Sequence, residues 1–345
     1  MENEEFSSDD KVAQLHNNFV VSILRLNELA ADFLSHYVPE STANRIDWTR
    51  LTSEPTALAS EPNKLYAADF LFSAPFKDGR ENATFFVLLE HKSDVEKTLP
   101  LQLLKYIALK ANDFAANRVG EIDGRWPCPI ALVLYNGEKP WKRPPTLRDT
   151  LYVDADCSQF IPDFRYIMVD LAALDVENFR GGPLVRLFLE LLKRAKNGTL
   201  RSSLKGMFRR LGSIPWNATV RAAARSFYFY IAGAARNAGD VVTLAEIKEA
   251  VHAVENEEAR EEMKNFADEL RNEGRVEGRE EGFALGAASE AARYVRRRFG
   301  DEISPELLAR IEAINDYPTL EKIRDSLFDS KDVAEFKATL AELLK

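Results

Sequence analysis

Asp69, Glu90 and Lys92 are the residues whose types and spacing suggest chemistry. Asp69 interrupts the apolar run LYAADFLFSAPF (65–76), and Glu90 and Lys92 close the run ATFFVLLEHK (83–92). On a strand, side chains alternate between faces. Phe86, Leu88, Glu90 and Lys92 therefore share one face, and two charges continue an otherwise apolar row. Such a placement is costly unless the charges are paired or bind a metal. With Asp78-Gly79 as a two-residue turn, Lys77 pairs with Arg80 and Asp69 falls opposite Leu88, diagonal to Glu90. Diagonal positions have Cβ atoms roughly 7–8 Å apart. Two carboxylates at that separation reach one divalent cation, and Mg²⁺ suits them because it takes oxygen ligands and keeps several waters. A metal held there would polarise a phosphoryl oxygen and activate water. Lys92 would orient that water and stabilise charge building on phosphorus. The His91 ring falls on the opposite face, where it packs or hydrogen-bonds, while its backbone carbonyl is placed to complete the metal shell. A salt-bridged strand end fits the same residues, since Asp…Glu-x-Lys recurs by chance.

These residues need a hairpin and its surroundings to hold them. The runs 65–76 and 83–92 are rich in β-forming and aromatic residues and predict that hairpin. Thr98–Arg118 carries Leu101, Leu104, Ile107, Ala108 and Phe114 at helical spacing. Pro129–Tyr135 and Phe164–Leu171 read as strands buried on both faces. Before the hairpin, Val12 to Phe33 predict one long helix stopped by Pro39, and a short strand is expected near Ile46–Leu51. Strands mixed with flanking helices indicate an α/β core within residues 11–180. Beyond Gly181-Gly182 only helical patterns remain. The expected organisation is an acidic tail (1–10), the α/β domain (11–180), a helical region (181–270) and a glycine-spaced helical tail (271–345). Gly274, Gly278, Gly282 and Gly286 recur every four residues, placing them on one helix face. That face is expected either to allow close helix contact, including self-association, or to act as a hinge.

Composition narrows the classes. The chain has 345 residues, 46% hydrophobic and 29% charged, which excludes a disordered chain. Its net charge of −9 argues against a protein that coats DNA over its whole surface, so any nucleic-acid contact must be a local patch. Residues 186–225 hold ten Lys or Arg and one acid, the block expected to face DNA. Residues 244–281 hold thirteen acids and six bases and read as a solvated helix or a partner surface. The two cysteines, Cys128 and Cys157, show no zinc spacing and read as free thiols. No apolar run of membrane-spanning length occurs and the start MENEEFSSDD is unlike a secretory signal, so a cytoplasmic protein is expected.

The Asp…Glu-x-Lys hairpin followed by a helix resembles the PD-(D/E)XK nuclease superfamily. Gln102 and Tyr106 give a QxxxY spacing similar to that of its RecB-type branch. The phrases DFLF (69–72), LLEHKS (88–93), LPLQLLKY (99–106), LVLYNGEKPW (132–141) and MVDL (168–171) resemble the recombination-promoting nuclease (Rpn) family, as do EGREEGFALG and YVRRRFG in the tail. The resemblance implies a restriction-endonuclease-like core, a mixed central sheet flanked by helices, followed by an all-helical C-terminal region. It implies a Mg²⁺- (or Mn²⁺-) dependent DNA endonuclease promoting recombination or transposition-like breakage. In that reading Asp69 and Glu90 hold metal, Lys92 acts on water, and Gln102 and Tyr106 steady the substrate. Lys92 stands where many members have glutamine, and Gln102 where members often have arginine. His16-Asn17 departs from the family's usual His-Asp pair, which points to reduced activity. The alternative is a non-catalytic DNA-binding or oligomerising protein that keeps the nuclease fold.

Overall fold

The computed structural model describes the backbone of all residues except 1–7, 56, 62–63, 68–69, 79–83, 93, 118–128, 142–145, 153, 155, 235–241, 315 and 344–345, and leaves out the side chains of 8–13, 57–61, 64–67, 84–91, 158, 270, 273–285 and 301 as well. It is a mixed α/β structure, mostly helical with small sheets. The chain forms two compact units, one ending at Phe266 and one beginning at Ala267.

In the first unit, helices α1 (Ser8–Leu24), α2 (Asn27–Tyr37) and α3 (Glu40–Ala43) precede the strands β1 (Thr52–Glu54), β2 (Ala57–Glu61), β3 (Lys64–Ala67), β4 (Phe70–Pro75) and β5 (Thr84–Lys92). Helix α4 (Leu99–Asn117), strand β6 (Pro129–Tyr135) and strand β7 (Ile167–Asp170) follow. The central sheet runs β1-β4-β5-β6-β7, and β2-β3 form a separate pair. The β1–β4 and β4–β5 ladders are antiparallel, and β5–β6 and β6–β7 are parallel. A parallel neighbour needs a long crossover, which α4 supplies between β5 and β6. Strand β6 (PIALVLY) is buried at six of its seven residues, as an interior strand covered on both faces must be.

Four sequence expectations change. The long first helix is two helices, because Leu26 leaves the helical region (φ −79°, ψ 100°) and starts α2 anew. The expected strand near Ile46 reduces to an isolated bridge between Ile46 and Phe76, with β1 beginning at Thr52. The run 65–76 is two strands in different sheets. Finally, Leu71 pairs with Leu88, and the last pair of the hairpin is Pro75 with Thr84, so residues 76–83 connect the strands. This register is not the one that a two-residue turn at Asp78-Gly79 would set, and Gly79 itself lies outside the described residues. The chain after Pro75 is held by the 45–47 segment instead: Lys77 N donates to Arg45 O at 2.9 Å, and Asp47 N donates to Pro75 O at 2.9 Å. The register moves by two residues, so every side chain keeps its face, whereas a slip of one would have reversed them all.

The helices that follow are α5 (Pro183–Lys196), α6 (Leu200–Gly212), α7 (Ala218–Ala234), α8 (Leu244–His252) and α9 (Glu257–Phe299). Gly181 has φ +105°, a left-handed conformation that suits glycine. It lets Gly182 N donate to Asp32 Oδ2 of α2 at 2.8 Å, giving the start of α5 a carboxylate partner. Helix α8 begins with a capping box, Thr243 and Glu246. Phe19 of α1 stacks on Tyr230 of α7 with ring centroids 4.0 Å apart, so α1 belongs to this helical layer.

In the second unit, α10 (Pro305–Glu312), α11 (Tyr317–Asp329) and α12 (Val333–Leu343) pack on the C-terminal part of α9. Ala288, Ala291, Ala292, Val295, Ile311, Leu320, Ile323, Leu327, Phe336 and Leu340 form its core. Gly286 is exposed, and a Cβ built on it would meet nothing within 4 Å. Among the described residues nothing within the chain packs on Gly286, and Gly274, Gly278 and Gly282 lie outside the described side chains.

Candidate functional site

The face that carries Glu90 and Lys92 can be followed across the sheet by register. Glu90 pairs with Val133 and Lys92 with Tyr135 on β6. Val133 and Tyr135 pair in turn with Met168 and Asp170 on β7. Register partners point to the same side. Val133 and Tyr135 join Leu71, Ala131 and Trp141 in one core with Leu99, Leu103, Tyr106 and Phe114 of α4. Helix α4 therefore covers the side of the sheet to which Glu90 and Lys92 belong, and that apolar packing is what positions Gln102 and Tyr106. Gln102 Nε2 donates to the Tyr106 hydroxyl at 3.0 Å.

Lys92 lies at the C-terminal end of β5. Asn136 N donates to its carbonyl at 2.8 Å, and Asn136 Nδ2 donates to Leu192 O on α5 at 3.2 Å. The Lys92 ammonium is 3.0 Å from Glu96 Oε2. Hydrogen bonding from Lys92 is the main reason that the Glu96 carboxyl is held below the usual carboxylate range, against an opposing effect of burial. Glu96 lies in the β5–α4 loop and has no counterpart among the residues that sequence singles out. No periodic pattern marks it, and its only signal is i,i+4 spacing from Lys92 beyond the strand end.

Asp170, at the equivalent end of β7, is another carboxylate that sequence does not single out. Its Oδ2 accepts from Trp141 N at 2.7 Å and its Oδ1 from Ala173 N at 3.1 Å. Both oxygens thus brace loop backbone. Trp141 is buried edge-on against Tyr135, a packing role. Its basic neighbours Lys142 and Arg143 lie outside the described residues.

The expected metal ligands are only partly visible. Asp69 lies outside the described residues, as do the side chains of Glu90 and His91. The backbone of Glu90 and His91 is in the β5–β6 ladder, His91 opposite Leu134. Among the described residues no group of three His, Cys, Asp or Glu side chains is placed to hold a metal. His16 is buried between α1 and α7, its Nδ1 2.5 Å from the Tyr230 hydroxyl. Burial, then the Lys196 charge, lower its pKa to about 4.

The basic block proves to be largely occupied from within. Glu190, almost fully buried, lies 2.7 Å from Arg194 Nε and 2.7 Å from Arg210 Nη2. Arg201, Lys205 and Arg221 pair with Glu246, Glu249 and Glu262 at 2.5, 3.2 and 3.0 Å. Lys193 Nζ donates to the carbonyls of Leu171 and Leu174, and Arg186 Nε to that of Gly181. The acidic and basic blocks seen in sequence partly neutralise each other across the fold. The block therefore offers phosphate fewer unpaired cations than its composition suggests.

Among the described residues no helix is long and apolar enough to cross a membrane. A family model described as "Putative transposase, YhgA-like" matches residues 14–218. A curated protein of Escherichia coli (strain K12), "Inactive recombination-promoting nuclease-like protein RpnE", is 28% identical over 114 residues, which are 32% of this chain and 35% of that protein. The match thus spans about a third of that relative's length. No solved structure matches the chain.

Proposed function

The chain belongs to the family described as "Putative transposase, YhgA-like", and from that premise we propose that it is a metal-dependent DNA endonuclease with a PD-(D/E)XK-like core. The order helix, three antiparallel strands, crossover helix, parallel strand supports this reading. It is realised by α2, β1-β4-β5, α4 and β6, with Glu90 and Lys92 on the third strand of the set. The observation that carries most weight is the shared side of the sheet. The Glu90–Lys92 face and the Tyr106 side of α4 meet over one core.

In this reading Asp69 and Glu90, with the His91 backbone carbonyl, hold Mg²⁺ or Mn²⁺. The β4–β5 ladder ends with the Phe70–Leu89 pair, and Glu90 follows Leu89 on β5, while Asp69 lies outside the described residues. Their oxygen donors have the hard character that Mg²⁺ takes. When bound, the metal supplies Lewis-acid polarisation of phosphate and an acidified water. Lys92 places a positive charge where negative charge grows on phosphorus. Gln102 and Tyr106 present an amide and a hydroxyl to orient the substrate.

A second reading is favoured by two observations: the relative's printed name begins "Inactive", and Asn17 follows His16 where the family resemblance has Asp. It is a DNA-binding or self-associating protein that retains the fold without cutting, assembled through the C-terminal helices. Cleavage of supercoiled plasmid separates the two. The endonuclease nicks with Mg²⁺ or Mn²⁺, stops with chelator, and loses nicking in an Asp69→Ala, Glu90→Ala double variant. Nicking that persists in the double variant removes the first reading. DNA binding without metal-dependent cleavage on several substrates establishes the second.

A further inference from the structure

Lys92, the residue assigned to act on water, is held at both ends. Its carbonyl accepts from Asn136 N, and its ammonium sits 3.0 Å from Glu96 Oε2. The lysine is the more enclosed partner, its side chain 19% exposed against 42% for Glu96. The other oxygen of the same carboxylate, Glu96 Oε1, accepts from Thr98 Oγ1 at 3.1 Å. The Thr98 carbonyl accepts from Gln102 N at 3.1 Å, opening α4. Gln102 then donates to Tyr106. A single carboxylate thus joins the end of β5 to the first turn of the helix that carries Gln102 and Tyr106.

We propose that Glu96 is a positioning residue, whose carboxylate fixes the Lys92 ammonium and the start of α4 relative to one another. This rests on the endonuclease reading. A lysine side chain has many rotamers, and its freedom is lost whenever it acts from one position. Ordering it before substrate arrives leaves less to lose in the reaction, the usual benefit of a preformed geometry. Glu96 need not touch substrate for this. It acts through Lys92 on one side and through Thr98 on the other.

Glu96→Gln keeps the shape and an oxygen for Thr98 but removes the carboxylate charge 3.0 Å from the ammonium. Glu96→Asp keeps the charge on a shorter stem. The plasmid-nicking rate is measured with the KM for DNA, alongside mass-spectrometric acetylation of Lys92 in metal-free protein. Lys110, which has its own partner in Asp113, serves as internal control. The expected result is a roughly tenfold lower kcat in Glu96→Gln with KM unchanged, and partial recovery in Glu96→Asp. Lys92 labelling rises about threefold in Glu96→Gln, the factor that a partly exposed ion pair is worth. A purely structural role would lower the melting temperature of both variants without separating kcat from KM. Unchanged Lys92 labelling overturns the proposal, and so does raised labelling with unchanged kcat. Absence of metal-dependent nicking in the wild-type protein overturns the endonuclease reading itself. The labelling arm then still reports whether Glu96 restrains Lys92.

Discussion

Gln102 and Tyr106 act as a pair: the amide of one donates to the hydroxyl of the other, one helical turn on, at 3.0 Å. Tyr106 is 7% exposed and its ring belongs to the core beneath α4. Tyr106→Phe keeps the ring and removes the hydroxyl, so it should cost about 1 kcal/mol in urea unfolding. Gln102→Ala should cost less in the Tyr106→Phe background than in the wild type, by about 0.5–1 kcal/mol, because the two changes share one interaction. Strict additivity would show that the pair is not coupled.

Asp170 is expected to matter for stability and not for metal. Its two oxygens each accept a backbone N–H, from Trp141 and Ala173. Hydrogen bonds to a charged acceptor are worth about 1.5–3 kcal/mol. Asp170→Ala should therefore lower stability by about 2–3 kcal/mol, and Asp170→Asn by less. Mn²⁺ affinity should be unchanged in Asp170→Asn. A tenfold loss of metal affinity there would place Asp170 among the ligands.

Burial of His16 gives the fold an acid sensitivity. Its pKa is lowered to about 4 by desolvation first and Lys196 second, from about 6.5 in an unfolded chain. The unfolded state then binds the extra proton between these values, so stability rises with pH across the window. The contribution is fully present above about pH 6.5, declines as pH falls, and reaches about 3 kcal/mol of loss by pH 4. Urea midpoints at pH 7.5, 6 and 4.5 measure it. A His16→Phe variant should flatten the slope, and an unchanged slope would assign the sensitivity elsewhere.

Glu190 anchors two guanidinium groups from a buried position. Arg210 is half exposed and can return to water, which limits the penalty for losing its partner. Glu190→Gln should cost about 2 kcal/mol, and calorimetric melting reads it. Neutral behaviour would show that the two arginines are satisfied without Glu190.

The elements legible in sequence are those with long, regular patterns. Strand β6 ends at Tyr135 and helix α4 spans Leu99–Asn117, close to their sequence boundaries, because an unbroken apolar run and a strong 3.6-residue period leave little choice. The face shared by Glu90 and Lys92 follows from alternation alone and survives a two-residue shift in register. The register itself is not legible, because Asp78-Gly79 is a good turn locally, whereas Arg45 and Asp47 hold the neighbouring backbone from far along the chain. The charge blocks mislead for a similar reason. Arg201 and Glu246 lie 45 residues apart in sequence and meet only once α6 and α8 are placed. Glu96 escapes notice because a loop residue has no periodicity to betray it.

The most direct measurement is Mn²⁺ binding by titration calorimetry of wild-type protein and of the single variants Asp69→Asn and Glu90→Gln. If the two carboxylates converge on one cation, the wild type binds Mn²⁺ with a defined stoichiometry and each variant weakens binding at least tenfold. Equal affinity in all three proteins, or no binding by the wild type, would contradict the metal centre and leave the family fold without the chemistry proposed for it.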